Sequence, residues 1–102
     1  MHDLDRYEWA DARVFDGQWR QNKMHGSGTF SWDDGRIYKG QYVADMKDGK
    51  GVFTWPDGRK YDGQWSKGKQ HGRAKYTFSD GAVKNGVWDQ GRRVQWDESS
   101  KQ

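Results

Sequence analysis

The chain has 102 residues, a formal net charge of +3 and no cysteine, so we expect one small domain without disulfides or thiolate metal sites. No apolar run is long enough to span a bilayer and no segment resembles a signal peptide, so a soluble, intracellular and cytoplasmic protein is expected. Aliphatic residues are scarce, but seven Trp, five Tyr and four Phe can bury much area per residue, which favours a folded chain over a disordered one.

The chain repeats itself with a fixed period. Residues 15–19 return as 38–42 and 61–65, and in weaker form as 84–88. Such a period is typical of stacked small units that share one core. The sequence therefore predicts a repeat domain over residues 6–96, preceded by a flexible head (1–5) and followed by a flexible tail (97–102). Its predicted parts are a half repeat (6–14), three repeats (15–37, 38–60 and 61–83) and a partial capping repeat (84–96).

Aligned copies place the aromatic residues in four columns with even spacing inside each repeat. The columns are Tyr7/Phe30/Phe53/Tyr76, Trp9/Trp32/Trp55/Phe78, Phe15/Tyr38/Tyr61 and Trp19/Tyr42/Trp65/Trp88. Even spacing puts side chains on one face of a β-strand. Each repeat is therefore predicted to form two strands with one aromatic face and one polar face.

Glycine also recurs in columns between the aromatic positions. These residues are Gly17, Gly40, Gly63 and Gly86 on one strand of each repeat, and Gly28 and Gly51 on the other, with Ala74 as the small substitute. A missing side chain at such a position lets a neighbouring ring lie over the backbone or lets the strand bend.

Two kinds of connection are predicted between the strands. Asp-Gly pairs at 34–35, 57–58 and 80–81 signal hairpin turns, and Pro56 before one of them predicts a type I turn followed by a glycine bulge. The other connections, such as residues 20–27 and 66–73, are predicted to be longer loops. The predicted fold is all-β: an elongated single-layer antiparallel meander of stacked β-hairpins with about eight or nine strands.

The motif at residues 61–72, Tyr-Asp-Gly-Gln-Trp-Ser-Lys-Gly-Lys-Gln-His-Gly, closely resembles the MORN repeat (membrane occupation and recognition nexus). Residues 15–37 resemble it too, except for Asn22 at the mid-loop glycine. Asp45, Asp48 and Lys84 depart from the pattern in later copies. The resemblance implies stacked hairpins in one sheet. It also implies a scaffold or adaptor role, because this family occurs as modules on enzymes, including lipid kinases and methyltransferases, and as stand-alone scaffolds.

No constellation of residues indicates catalysis or a cofactor. His25 and His71 occupy equivalent positions with Asp48 between them, but repeats two strands apart lie about 9–10 Å from each other, which is too wide for one ion. We favour turn chemistry for these residues. The aspartates of the turns are likewise explained by turn formation; they are Asp11, Asp34, Asp57 and Asp80. A non-enzymatic protein without cofactor or metal is expected.

The aromatic face is the leading candidate for a binding surface. A single-layer sheet has no second layer to cover its rings, and exposed aromatic patches usually mark interaction sites. We expect this face to receive a helix or an extended peptide of a partner, with the alternative that each ring packs only as core. The predicted anchors are Trp19, Tyr42, Trp65 and Trp88, with Tyr38 and Tyr61 beside them.

Basic residues gather in the windows predicted as the longer connections. These residues are Arg20, Lys23, Lys47, Lys50, Lys67, Lys69, Arg73, Arg92 and Arg93. The four windows 20–27, 43–50, 66–73 and 89–96 together carry +6, against −1 for the windows of the opposite edge (10–14, 33–37, 56–60 and 79–83). This edge is an alternative site for anionic phospholipid headgroups, although lysine in loops also serves solubility.

Other partners follow from the predicted sheet. Its two end strands, near Tyr7 and within residues 88–96, leave open edges through which copies of the chain could pair. Nucleic acid is not expected, because the basic residues are predicted at the loop edge and not among the rings. Association with the cytoskeleton or with a membrane is compatible with either binding hypothesis.

Overall fold

The computed structural model describes residues 4–96, which form nine β-strands. They are β1 (Leu4–Glu8), β2 (Val14–Arg20), β3 (Lys23–Ser31), β4 (Ile37–Val43), β5 (Met46–Thr54), β6 (Lys60–Ser66), β7 (Lys69–Thr77), β8 (Val83–Asp89) and β9 (Arg92–Trp96). They form one open sheet in sequence order, and each pairs antiparallel with the next. The predicted all-β meander is confirmed. The predicted flexible head overlaps β1 at residues 4–5; residues 1–3 and the predicted tail (97–102) lie outside the described range.

The pairing register aligns the sequence columns into rows that cross the sheet. Phe30, for example, pairs with Phe15 on one side and with Tyr38 on the other. The small residues form an adjacent row in successive strands, namely Gly17, Gly28, Gly40, Gly51, Gly63, Ala74 and Gly86. The sheet is elongated, with extents of 48 × 24 × 18 Å.

The connections predicted as longer loops are instead two-residue turns, so that prediction was wrong. β2 ends at Arg20 and β3 begins at Lys23. The turn consists of Gln21 (φ 52°) and Asn22 (φ 66°), and positive φ at both central residues is the requirement of a type I′ hairpin turn. The remaining residues of the predicted loop extend β3.

The Asp-Gly connections have the predicted geometry. The Gly58 N–H donates to the Trp55 carbonyl oxygen at 3.1 Å, and the Trp55 N–H donates to the Arg59 carbonyl oxygen at 2.9 Å. Pro56 therefore occupies the second position of the turn, where its fixed φ suits a type I turn, and Gly58 follows with φ 97°. These turns lie at the opposite edge of the sheet from the two-residue turns.

A bulge interrupts the register inside the hairpins that carry the two-residue turns. The pairing shifts between Gly17 and Trp19, and the Gln18 side chain satisfies the backbone left unpaired there, its Oε1 accepting from the Ser27 N–H at 2.7 Å. Gln41 does the same for the Lys50 N–H at 3.3 Å. The glutamines of the first two repeats are thus explained by a hydrogen bond within the bulge.

The core is built from rings that lie over the small-residue row. Phe15, Tyr38 and Tyr61, the inner rings, have 0% of their surface exposed. A Cβ built on Gly51 would overlap the Tyr38 ring, so the absent side chain is what lets the ring lie against the backbone. The Tyr38 hydroxyl donates to the Gln41 carbonyl oxygen at 2.9 Å, which satisfies its polar atom.

Rings of the same strand and of the next repeat cover each inner ring from above. The Tyr38 ring meets Tyr42 edge-on at 5.2 Å between centroids, and meets Trp65 of the next repeat at 5.4 Å. Such edge-to-face pairs are favourable arrangements for aromatic side chains. A one-layer sheet therefore buries a core without a second layer of backbone.

Gly51→Ala is expected to lower the free energy of unfolding by about 2–3 kcal/mol, because the methyl group would displace the Tyr38 ring. The control is Gly81→Ala, where nothing lies within 4 Å of an added Cβ and only the positive φ of 94° opposes alanine, at a cost of about 1 kcal/mol. Urea unfolding of both variants measures the difference. Equal losses would show that the ring does not depend on the glycine.

The buried tyrosines predict a loss of stability in alkaline solution. Burial raises the pKa of Tyr61 to about 12, and raises the pKa of Tyr38 and Tyr42 as well. Tyrosines of the unfolded chain ionise near pH ~10, so the unfolded state releases its protons first. The free energy of unfolding therefore falls as pH rises above about 10, by up to about 1.4 kcal/mol per pH unit for each such tyrosine.

Tyr61→Phe tests this origin, because Phe15 shows that a phenyl ring fits the equivalent position. The variant is expected to lose about 1 kcal/mol at neutral pH through the missing hydrogen bond to the Gln64 carbonyl, but to lose less stability than the parent as pH rises. Tyr7→Phe is the matched control, since Tyr7 is 51% exposed. Urea unfolding between about pH 8 and about pH 11 gives the slopes; an unchanged slope in Tyr61→Phe would contradict the assignment.

Candidate functional site

A row of half-buried rings lies where the chain enters the turns that carry Asp11, Asp34, Asp57 and Asp80. We call Trp9, Trp32, Trp55 and Phe78 the outer ring row; each of them is partly exposed. Trp32 contacts Phe30 at 4.4 Å and Phe53 at 5.3 Å between ring centroids. The row is therefore continuous with the core on one side and accessible to solvent on the other.

Arginines hold three of these rings in place. The Arg36 guanidinium lies 5.1 Å from the centroid of the Trp32 ring, and its Nε donates to Asp34 Oδ2 at 2.8 Å. Trp9 with Arg13, and Trp55 with Arg59, repeat the stacking at 5.2 Å each. The cation is thus fixed over the ring by a carboxylate of the same turn.

The same hydrogen bonds act on the carboxylates of the turns. Backbone and side-chain hydrogen bonds from Arg36 lower the pKa of Asp34, and those from Arg59 lower the pKa of Asp57. For Asp11 the side-chain hydrogen bond from Arg13 is the largest cause of the lowered pKa. These groups are solvent-exposed, so the pairs orient the arginine more than they stabilise the fold.

Most residues predicted as anchors lie inside the core. The exposed fractions are 0% for Tyr38 and Tyr61, 3% for Tyr42, 5% for Trp88 and 7% for Trp65, whereas Trp19 is half-buried. A side chain without exposed surface offers nothing to a partner in this conformation. The accessible aromatic surface includes the outer ring row and Trp19, together with Tyr7, Tyr76 and Trp96.

Lys47 lies on the aromatic face, although its sequence position suggested the basic edge. It pairs with Tyr42 across β4 and β5, and its Nζ lies 5.4 Å from the centroid of Trp65 and 5.8 Å from that of Trp32. Burial among these rings lowers its pKa. Met24, Gln70 and Arg93 hold the equivalent positions in other repeats, opposite Trp19, Trp65 and Trp88.

The nine basic residues of the predicted edge are divided among three places. Lys47 and Arg93 lie over rings of the aromatic face. Lys50 and Arg73 line a shallow cavity on the polar face, together with Lys75. The other five are exposed at or next to the two-residue turns; they are Arg20, Lys23, Lys67, Lys69 and Arg92.

The histidine and aspartate row links neighbouring hairpins. His71 Nδ1 accepts a hydrogen bond from the Gln90 N–H at 3.3 Å, and Asp48 Oδ2 accepts one from the Lys67 N–H at 3.2 Å. Both acceptors thus bind the turn of the following hairpin, which accounts for aspartate and histidine at equivalent positions. Within residues 4–96 no group of three His, Cys, Asp or Glu is placed to hold a metal ion.

Two features of the candidate site are visible in the sequence in addition to the aromatic columns. Arginine recurs two residues after the turn aspartate, at positions 13, 36 and 59. That spacing places a cation beside the preceding tryptophan and identifies the outer ring row. The position of Lys47 on the aromatic face left a weaker signal, since its column contains methionine, glutamine and arginine.

Comparison with known families identifies the repeat. A family model for the MORN repeat matches residues 15–35, 38–58 and 61–83, more than half of the chain. A search among curated proteins gave no match. No helix in residues 4–96 has the length and apolar character needed to cross a membrane. MORN repeats are generally modules that interact with proteins or membranes. The three consecutive matches, together with the sheet of hairpins, show that the chain belongs to the MORN-repeat family.

Proposed function

We propose that the chain is a non-enzymatic scaffold or adaptor that receives a helix or an extended peptide of a partner protein along the outer ring row, as a small subunit of a larger assembly. The observation that supports this proposal is the outer ring row, whose three tryptophans are partly exposed and each stack with an arginine. Tryptophan and arginine are the residues most enriched among the anchors of protein interfaces.

The spacing of the row suits a peptide. Equivalent rings in successive repeats are two strands apart, which is about 9–10 Å. Two turns of an α-helix rise about 10.8 Å, and one three-residue turn of an extended polyproline II segment rises about 9.3 Å. Side chains at regular intervals along one segment can therefore meet successive tryptophans of the row. The fixed rings reduce the entropy that is lost when the segment binds.

Trp32→Ser is expected to reduce recovery of the partner at least fivefold in quantitative affinity purification from cell extract, because it removes a central ring of the row. The control is Lys39→Ser on the opposite face, which should leave recovery unchanged. Because Trp32 also contacts core rings, Arg36→Glu serves as a second variant that keeps the ring and replaces its cation by a carboxylate. Unchanged recovery with both row variants would refute the outer ring row as the interface.

Binding to anionic phospholipid is the second candidate. Five exposed basic residues remain near the two-residue turns, and each basic residue close to an anionic membrane contributes about 1 kcal/mol. The structure supports this candidate less than the sequence does, because four of the nine basic residues predicted at this edge lie elsewhere.

Pairing of copies through the open edges of β1 and β9 is also compatible with the described sheet.

Co-sedimentation with phosphatidylserine vesicles tests the lipid candidate. Replacing Arg20, Lys23 and Lys67 by Gln should abolish salt-sensitive sedimentation if the turn edge binds lipid. Replacing Lys39, Lys60 and Lys75 by Gln is the control of equal charge change. Equal effects of the two triple variants, or no sedimentation of the parent chain, would exclude a lipid site at the turn edge.

A further inference from the structure

The fourth copy of the repeat lacks an inner ring. Lys84 stands in the column of Phe15, Tyr38 and Tyr61, and it pairs with Tyr76 across β7 and β8. Its side chain is exposed and contributes no ring to the core, and the Trp96 ring lies against Gly86 of the same strand instead. A cavity of about 530 Å³ is found there, and we call it the C-terminal pocket. Its lining residues are Trp55, Gln70, Tyr76, Phe78, Lys84, Trp88, Arg93 and Trp96.

The walls of this pocket are aromatic, and its charged groups are all cationic. The Arg93 guanidinium lies 4.5 Å and the Lys84 Nζ lies 5.7 Å from the centroid of the Trp96 ring, so the two cations flank one ring. The ion pairs found within residues 4–96 involve neither of them. The pocket therefore joins an apolar floor to two positive charges.

A second cavity of about 530 Å³ shows that this combination is not a general property of the sheet. Its lining includes Trp32 and two arginines, but also three carboxylates, Asp11, Asp33 and Asp34. Both arginines there are paired with aspartates of their own turns. That cavity thus has no excess of positive charge, in contrast to the C-terminal pocket.

We propose that the C-terminal pocket binds an acidic segment of a partner protein that carries an aromatic or large aliphatic side chain between its carboxylates. The apolar side chain packs on the aromatic walls of the pocket, and the carboxylates pair with Lys84 and Arg93. The volume of the pocket lies within the range of about 300–1,000 Å³ typical of ligand sites. This inference deepens the proposed scaffold function and rests on it.

The lining favours such a segment over other anions. A phosphate or a lipid headgroup would engage the two cations and leave the aromatic floor uncovered. An apolar peptide without charge would cover the floor and leave the cations without partners. Only a ligand with both features satisfies both halves of the pocket, because apolar burial and charge pairing contribute independently at separate positions.

The test uses a capped synthetic peptide with one Phe flanked by two Asp on each side, titrated into the full chain labelled with ¹⁵N at the indoles. The signals of Trp55, Trp88 and Trp96 are expected to shift, while those of Trp9, Trp19 and Trp32 stay in place. A peptide with Ala for Phe, and one with Lys for Asp, should each bind at least fivefold more weakly. Changes in the indole signals that are largest at Trp9 and Trp32, or no change in any indole signal, would overturn the proposal.

Variants separate the two features of the pocket. Lys84→Gln and Arg93→Gln should each weaken the acidic peptide about fivefold, which corresponds to about 1 kcal/mol. Lys60→Gln is the matched control, because Lys60 is exposed in β6 and does not line the pocket. Lys84→Glu replaces a cation of the pocket by a carboxylate, so it should abolish binding of the acidic peptide while the thermal unfolding temperature is kept, because Lys84 is exposed. Binding that survives Lys84→Glu would refute the pocket.

If Trp32→Ser and Arg36→Glu both leave the native partner bound while the acidic peptide still shifts Trp88 and Trp96, the outer ring row fails and the pocket stands. If both variants lose the native partner and the acidic peptide shifts neither Trp88 nor Trp96, the pocket alone is overturned. Because Asp97 and Glu98 follow Trp96 in the sequence, the titration is repeated with Asp97→Asn and Glu98→Gln combined. Peptide binding seen only in that variant would assign the pocket to the chain's own acidic residues and overturn the proposal of a partner segment.

Discussion

The packing of an aromatic ring against a residue without a side chain supports the rest of this sheet. Tyr38 on β4 lies over Gly51 on β5, and Phe15 on β2 lies in the same way over Gly28 on β3. A ring so placed is buried from below by backbone, and the rings of its own strand and of the next repeat then bury it from above. The hydrophobic core thus arises within one layer, since rings take the place that a second sheet holds in a sandwich.

The same packing determines which rings remain available for binding. Rings above the small-residue row are consumed by the core, whereas those at the entrance to the Asp-Gly turns have neighbours on one side only. Each of the three tryptophans there carries an arginine that is itself oriented by an aspartate. The C-terminal end of the array differs at both positions, with Ala82 in the arginine column of repeat 61–83 and Lys84 in the inner column of the copy that follows, and the C-terminal pocket lies at this point of divergence.

Features that depend on local spacing could be predicted from the sequence. The period, the even spacing of rings and the Asp-Gly pairs gave the antiparallel meander, and the recurring glycines indicated contact between rings and backbone. The two-residue turns escaped prediction, because Gln21 and Ala44 adopt positive φ where Gly or Asn is expected. Lys47 was consequently assigned to a loop edge, although it lies over four rings.

The burial of the predicted anchors depends on contacts that no single repeat contains. Tyr38 is covered by Trp65 and Tyr61 by Trp88, residues more than one repeat away along the chain. The aligned aromatic columns indicate which side chains share a face, but they do not indicate which of those side chains another repeat covers. The sequence therefore predicts which face carries the candidate site. The particular residues of that site follow only from the packing in the structure.

The coverage of each inner ring runs in one direction along the array. Phe15 contacts Tyr42, Tyr38 contacts Trp65 and Tyr61 contacts Trp88, in each case a residue of the following repeat. If hairpins unfold from the β9 side, the inner ring that remains folded loses the ring that covers it. If they unfold from the β2 side, the inner ring leaves together with its own strand. The sheet is therefore mechanically polar: tension applied from its two sides meets different sequences of contacts.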